Sequence, residues 1–547
     1  MIAARRFDAA LLAVLGLAIA APAAAMTPAM CTRASGDAAS RCLAAYTKAK
    51  AAGRDVKALL DAVGPAVEKS CVDDTSRAIG YLGVADTVLR MRDACADFGD
   101  VLVGLAAPDG ALASGASGRC GRIVAGALSR LRSQTIAIFG RACFLREAEG
   151  HRCRRPSRDR RAASVAKQVR AKIQRGCGAG LAALGVGTAS DVAETAADRL
   201  RHFAQFVYPP NDLGATADFG PYPVGVRTLA LVDPQRPDKT GTGARPVTVE
   251  VWYPSTQEAI AGVPRYVVNL FGLDIAATPS YRDVERAAGR FPVVLFSHGN
   301  NGIRFQSIFL ATHLASHGYI VASPDHYGNT FLDAFAGFVA PPAQVAVDRP
   351  LDMSFVLDQL IAFDAEPGNF FAGAVDADRI GMSGHSFGGY TTFALAGGGT
   401  FTDARMRAFL PLAPADPFPP EFFRTITQPI LIVGGTLDTT TPFAANQETP
   451  FTNLPSGAGV VGLARVTGAG HFTFSDVCEV PRNLVGAIGG FDEACTPAHL
   501  PWHDAHDLVN YLALNFFDAT LRSDTAARAR LAPVNLQGID DLVYVAK

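Results

Sequence analysis

Val375-Asp-Ala-Asp-Arg-Ile-Gly-Met-Ser-Gly-His-Ser-Phe-Gly-Gly389 is the stretch on which the reading of this chain turns. Residues Val375 to Ser383 read as a strand and those after Ser386 as a helix, with Gly384 and Gly388 placed two residues to either side of the serine. A strand, a sharp turn and a helix are what a nucleophile elbow requires, because the glycines leave room for a strained backbone that lifts the serine hydroxyl clear of the sheet. Ser386 is therefore the candidate nucleophile. The same pattern also occurs as a plain glycine-rich turn, so the flanking sequence has to decide.

A serine hydroxyl is a weak nucleophile at neutral pH; a histidine must take its proton and an acid must orient that histidine. After an elbow of this kind the partners follow in the order acid, then histidine. Gln428-Pro-Ile-Leu-Ile-Val-Gly-Gly-Thr-Leu-Asp438 is an apolar strand ending in a glycine-containing loop that presents an acid, and Gly468-Ala-Gly-His471 follows 33 residues later. Asp438 and His471 are the candidates. Their rivals are Asp325, which precedes the serine, Asp476, which follows the histidine, and His385, inside the elbow. The oxyanion of a tetrahedral intermediate needs two backbone N–H donors. One is expected from Phe387, directly after the nucleophile, and the other from the turn that ends the apolar run Phe291-Pro-Val-Val-Leu-Phe-Ser-His-Gly-Asn300, at Asn300. His298, at the end of that run, reads as a support for its loop.

Five segments make residues from about 222 to 530 resemble the serine-dependent relatives of dienelactone hydrolase, the group that shades into platelet-activating-factor acetylhydrolase-like esterases. They are Val224-Gly-Val-Arg-Thr-Leu229 with Asp233-Pro234; Val249-Glu-Val-Trp-Tyr-Pro254; the Ser297-His-Gly turn; Leu314-Ala-Ser-His-Gly-Tyr-Ile-Val321 with Asp325-His-Tyr-Gly328; and the serine elbow. The resemblance implies an α/β-hydrolase fold, a mostly parallel central sheet with helices on both faces, and carboxylic-ester hydrolysis without a cofactor or metal, with short acyl groups preferred. Dienelactone hydrolase proper uses a cysteine, whereas no cysteine lies between 178 and 477 and Ser386 holds the nucleophile position. A lactone substrate is not implied.

At 547 residues the chain is too long for one ordinary domain. Its 49% hydrophobic and 18% charged residues allow a large core, and a net charge of -1 argues against nucleic acid as a general partner. Arg5 and Arg6 precede an apolar run from Ala9 to Ala21 and the small-residue site Ala23-Ala-Ala25, which reads as a cleaved signal peptide, residues 1–25. As a membrane anchor the run is too short and Pro22 interrupts it. The expected location is secreted or periplasmic, with no transmembrane segment in the mature chain.

Export makes an even set of ten cysteines a disulfide framework in preference to metal ligands, and no Cys-x-x-Cys occurs. Residues 26–206, rich in Ala, Arg and Leu, read as an all-α disulfide-linked domain, with Val124, Leu128, Leu131, Thr135 and Ile138 on one helix face and Val165, Val169 and Ile173 on another. Arg41-Cys42-Leu, Lys69-Ser-Cys71 and Leu82-Gly-Val recur in loose form as Ala142-Cys143-Phe-Leu, Arg175-Gly-Cys177 and Leu184-Gly-Val. The domain is similar to cysteine-bearing helical repeats found beside varied domains in secreted bacterial proteins, which implies no chemistry. Cys120 and Cys143 lie 23 residues apart and Cys153 and Cys177 lie 24 apart, so a helical hairpin turning near Gly150 pairs Cys143 with Cys153 and Cys120 with Cys177. Cys31, Cys42, Cys71 and Cys95 remain without assigned partners.

From Arg152 to Arg175 there are ten basic residues and one acid, Asp159. A solvated helix face explains this, and an anionic envelope surface is the alternative partner. A linker is expected at 207–222, punctuated by Tyr208-Pro-Pro-Asn-Asp and Phe219-Gly-Pro-Tyr-Pro, and the hydrolase-like domain at 223–547. Within it, the phenylalanine-rich Thr330 to Pro342 and the insertion Phe472 to Asp507 interrupt strand-helix alternation and could form a lid or acyl pocket. Cys478 and Cys495, the only cysteines of this domain, are expected to pair. The chain as a whole reads as a secreted serine esterase. A hydrolase-like surface-binding module without activity is the rival, and lipase, polyesterase or peptidase action the alternatives within enzymes.

Overall fold

The computed structural model describes residues 28–547 apart from 74–75, 77–83, 109–111, 113–114, 142–154, 209–212, 214–215, 218, 239–240, 271, 458 and 481–492. The region expected as a signal peptide, and Cys143 and Cys153, lie outside the described residues.

The N-terminal part is helical, its longer helices spanning Pro28–Ala51, Val84–Gly104, Gly115–Thr135, Arg155–Cys177 and Ala189–Val207. Val124, Leu128, Leu131, Thr135 and Ile138 are all buried, as are Val169 and Ile173, because an apolar residue every third or fourth position lines one face of a helix. The first of these faces runs past the α-helix into a π-helical turn, Ile136–Arg141. The last helix starts at a capping box, in which the Thr188 hydroxyl accepts from the Asp191 N–H and the Asp191 carboxylate accepts from the Thr188 N–H. Among the described residues three disulfides tie this part together: Cys31–Cys71, Cys42–Cys95 and Cys120–Cys177.

From Val224 the chain forms a ten-stranded sheet: β1 (Val224–Pro237), β2 (Ala244–Pro254), β5 (Ser280–Arg282), β6 (Phe291–Ser297), β7 (Ile320–Pro324), β8 (Val375–His385), β9 (Met406–Leu412), β10 (Ile430–Gly435), β11 (Val461–Val466) and β12 (Leu542–Ala546). The order is β12-β11-β10-β9-β8-β6-β7-β2-β1-β5. Every neighbouring pair from β7 through β11 is parallel, while β1 with β2, β2 with β7 and β11 with β12 are antiparallel. A separate antiparallel pair, β3 (Val267–Leu270) with β4 (Leu273–Ala277), was not apparent in the sequence.

β6 and β10 are continuous, fully buried runs because both faces of a parallel sheet are covered. All of β6 is buried. Val293 and Leu295 pack on one side with Met353, Leu357 and Leu360, while Val294 and Phe296 pack on the other with Leu314 and Phe517. Successive side chains of a strand point to opposite faces, so two cores grow from one strand. The helix Pro342–Ala365 contains Pro350, whose ring nitrogen has no proton to give to the carbonyl of Ala346. The Tyr390 hydroxyl, from the helix that follows the elbow, donates to that carbonyl at 3.2 Å. Among the described residues no helix is long and apolar enough to cross a membrane. This is an α/β-hydrolase fold preceded by a disulfide-linked helical region.

Candidate active site

β8 ends at His385, and the helix Phe387–Ala396 begins one residue beyond Ser386. Ser386 has φ 57° and ψ -116°, a conformation disfavoured for any residue with a side chain. The surroundings hold it there. A Cβ on Gly388 would lie 1.8 Å from the carbonyl oxygen of Ser297, and one on Gly384 would lie 2.3 Å from that of Gly388. Only glycine lets β6, β8 and the helix approach this closely.

The structure brings Ser386, Asp438 and His471 into one hydrogen-bonded chain. Ser386 Oγ lies 2.8 Å from His471 Nε2, and His471 Nδ1 lies 2.9 Å from Asp438 Oδ2. With Nδ1 protonated, Nε2 is the acceptor facing the serine. Asp438 follows β10 and His471 follows β11, so the two parallel neighbours deliver both side chains to the same sheet edge as the elbow. Asp438 and His471 are buried. Thr441, which sequence reading missed, accounts for much of their fixed geometry. Its N–H donates to Asp438 Oδ1 at 2.6 Å, and its hydroxyl lies 2.8 Å from Asp438 Oδ2 and 3.1 Å from the carbonyl of Ala413. An acid followed three residues later by threonine is a turn signal that could have flagged it.

The rival residues are occupied elsewhere. Asp325 pairs with Arg304. Asp476 accepts from the N–H groups of Ile308 and Phe309 at the start of the helix Ile308–Ser316. His385 is fully buried and links two parts of the site: its Nε2 donates to the carbonyl of His471 at 2.9 Å, and its Nδ1 accepts from Gln306 Nε2 at 2.8 Å. Gln306 Oε1 in turn accepts from the Gly299 N–H at 2.7 Å. Burial first, and then the neighbouring His471, hold His385 well below the ordinary histidine pKa, which suits a neutral bridge.

The turn after β6 abuts the elbow, since a Cβ on Gly299 would lie 3.4 Å from that of Ser386. Among the described residues, neither the Phe387 N–H nor the Asn300 N–H donates to a backbone or side-chain acceptor. His298 Nδ1 donates to the carbonyl of Gly299 at 2.7 Å, and its Nε2 accepts from the His326 N–H at 3.1 Å. Burial and then Arg349 push its pKa well down, so it stays neutral and braces the turn.

The phenylalanine-rich segment begins as a short helix, Phe331–Phe335, and is tied to the same turn by the Phe331 N–H, which donates to the carbonyl of Gly302 at 2.8 Å. Phe335 and Phe338 are 76% and 61% exposed. In the insertion after His471, Cys478 and Cys495 form a disulfide, and Glu493 accepts hydrogen bonds from Thr439 and Thr440 beside Asp438. No cluster of His, Cys, Asp and Glu arranged to hold a metal ion occurs among the described residues.

Residues 283–432 match the family model for chlorophyllase, and residues 219–336 match that for platelet-activating factor acetylhydrolase, isoform II. Cutinase est1 of Thermobifida alba is 28% identical over 187 residues, 34% of this chain and 55% of that protein. Bis(hydroxyethyl) terephthalate hydrolase of Streptomyces coelicolor is 29% identical over 199 residues, 35% of this chain and 54% of that protein. The chain thus spans about half the length of the curated relatives it matches. A solved ferulic acid esterase from Streptomyces cinnamoneus is 25% identical, with a TM-score of 0.45 over 59% of this chain and 96% of that one. By its sheet order, its serine elbow and these sequence matches, the part of the chain from Val224 onward is an α/β-hydrolase related to esterases.

Proposed function

We propose that the protein is a secreted serine hydrolase that cleaves carboxylic esters. The observation that carries this reading is the run of hydrogen bonds from Ser386 through His471 to Asp438 at the tip of a strained elbow. Ser386 attacks the ester carbonyl as His471 takes its proton, Asp438 stabilises the imidazolium that forms, and the N–H groups of Phe387 and Asn300 hold the oxyanion. His471 then returns the proton to the departing alcohol. A water, deprotonated by His471, cleaves the acyl-enzyme and frees Ser386.

The family resemblance supports short acyl groups. A polyester or other hydrophobic ester surface is the second reading, supported by the cutinase and terephthalate-ester hydrolase names of the relatives and by the exposed Phe335, Phe338 and Val339 beside the oxyanion turn. A panel from acetyl to long-chain esters, with a short-chain phospholipid, a lactone and bis(hydroxyethyl) terephthalate, separates these readings. Short acyl esters are expected to turn over fastest, and fastest turnover on long-chain lipid refutes that preference. Hydrolysis that persists in Ser386→Ala refutes Ser386 as the nucleophile, and none at all in the wild-type protein refutes the enzyme reading itself.

Four disulfides among the described residues support an oxidising, extracytoplasmic compartment. N-terminal sequencing of the exported protein is expected to begin at Met26. Arg160, Arg161, Lys167, Arg170, Lys172 and Arg175 are exposed along the helix Arg155–Cys177 and would meet an anionic envelope surface. Salt-sensitive binding to anionic vesicles tests that partner, and absence of binding at low salt removes it.

A further inference from the structure

Beneath the oxyanion turn lies a second chain of serine, histidine and aspartate. Ser297 Oγ is 2.8 Å from His326 Nε2, and His326 Nδ1 is 2.9 Å from Asp352 Oδ2. No substrate reaches it, because all three residues are 0% exposed. It is part of a buried polar cluster in which Arg245 bonds both carboxylate oxygens of Asp352 and Arg236 pairs with Asp233 and Asp352. One cation in this cluster has no carboxylate hydrogen-bonded to it among the described residues. That cation is Arg349, also 0% exposed.

The guanidinium of Arg349 is spent on the backbone and side chains of the oxyanion hole's two halves. Nη2 donates to the carbonyl of His298 and, at 3.1 Å, to Ser297 Oγ. Nη1 approaches the carbonyl of Gly299 at 3.5 Å and donates at 2.6 Å to Asn329 Oδ1, while Asn329 Nδ2 donates to Asn300 Oδ1 at 2.8 Å. Nε donates to Thr391 Oγ1 at 3.2 Å on the elbow helix, and the guanidinium carbon sits 4.9 Å from the centre of the Phe387 ring. The carbonyl of Gly299 and the N–H of Asn300 belong to one peptide unit. That carbonyl also accepts from His298 Nδ1 at 2.7 Å and from the Gly302 N–H at 3.1 Å, so Arg349 is one of three donors that fix this peptide, whose N–H points opposite to its C=O.

We infer that Arg349 is a positioning residue of the oxyanion hole: it holds the His298–Asn300 turn against the Phe387 side of the elbow, and its charge, which Asp352 offsets only at a distance, lies beside both halves of the hole. This rests on the proposed serine-hydrolase reading. Charge that develops only in the transition state is stabilised by a fixed cation in a dry, low-dielectric setting, so the effect belongs in kcat and not in KM. Deleting a direct oxyanion donor costs roughly 10²- to 10³-fold in turnover. A residue acting through the turn is expected to cost less, on the order of 10- to 100-fold.

The test uses the full chain, a short acyl ester and a boronic acid that forms a tetrahedral anion on Ser386. Arg349→Met removes charge and donors, Arg349→Lys keeps the charge, and Asn329→Asp leaves the guanidinium and its 2.6 Å contact in place but sets a carboxylate against it and gives up the Nδ2 donations to Asn300 and Asn301. Arg349→Met and Asn329→Asp are expected to lower kcat about 10- to 100-fold with KM within about twofold, to weaken the boronate by a similar factor, and to keep Ser386 reactive toward a phosphonate. Arg349→Lys recovers part of the loss. Should Arg349→Met fail to fold, Asn329→Asp decides alone: folded protein with wild-type kcat and boronate affinity overturns the inference, as does Arg349→Lys behaving like Arg349→Met. Failure of the underlying reading looks different, since wild-type protein would then neither hydrolyse the ester nor be labelled at Ser386.

Discussion

At the scale of single residues, the site depends on proton placement. In the proposed mechanism Ser386 and His471 act as one unit, so Ser386→Ala and His471→Ala are each expected to lower turnover by several powers of ten, and the double variant to be little worse. Asp438→Asn is expected to cost less, because it leaves nucleophile and base in place. More than about a tenth of wild-type turnover in His471→Ala contradicts the base assignment. Ser386, Asp438 and His471 could be picked out in the sequence because each lies near glycines, Ser386 after a strand, Asp438 after an apolar run, and the three follow in the expected order. Thr441 left only the local signal of an acid three residues before it, and Gln306, Asn329 and Arg349 left none, since their partners are set by tertiary approach across 20 to 79 positions of chain.

At the scale of elements, two devices hold the site. One is the elbow, closed by Gly384 and Gly388; the other is the insertion bridged by Cys478 and Cys495, whose Cα atoms are 5.5 Å apart. The bridge begins seven residues after His471, and Glu493, two residues before its other end, bonds the loop that carries Asp438. In the chain-entropy account, closing a loop of this size restricts the unfolded chain by roughly 3 kcal/mol. Replacing both cysteines with serine is therefore expected to lower the melting temperature and also to reduce turnover measured well below it, as base and acid spend less time in register. Earlier melting with full turnover in the cold shows the bridge to be a staple only. β6 and β10 were legible as apolar runs, and β8 as the strand leading into the elbow. The short β3, β4 and β5 were not, because runs of three to five residues with mixed polarity carry no period to read.

At the scale of the whole molecule, the helical region leans on the same insertion and on the turn before β12. Arg90 donates to the carbonyl of Cys478, Arg199 to that of Ala498 at 3.0 Å, and Arg201 pairs with Asp541 at 2.8 Å. Nothing in the sequence foretold this, since the contacts join positions hundreds of residues apart. Stability is expected to depend on pH through buried histidines. Burial, with Arg349 adding to it, lowers His326 to about 3, and burial lowers His506 to about 3. Each is neutral when folded and takes up a proton on unfolding in mild acid. Their contribution is therefore complete above about 6.5 and declines as the pH falls from there toward 3, by about 2 kcal/mol each at pH 5. Asp325, and Asp416 at about 6, are raised by burial and work the other way, but Asp416 is only partly buried. Thermal melts are expected to show a lower melting temperature at pH 5 than at pH 7, with a smaller difference in His326→Gln. Equal melting temperatures at the two pH values contradict this.

The most direct test of the account is to treat the full-length protein with a serine-directed phosphonate ester and map the modified peptide by mass spectrometry. Stoichiometric modification of Ser386 is expected, slowed by orders of magnitude in His471→Ala, with loss of ester hydrolysis in step with labelling. Folded protein that remains unmodified at Ser386, or that hydrolyses esters undiminished after modification there, contradicts it.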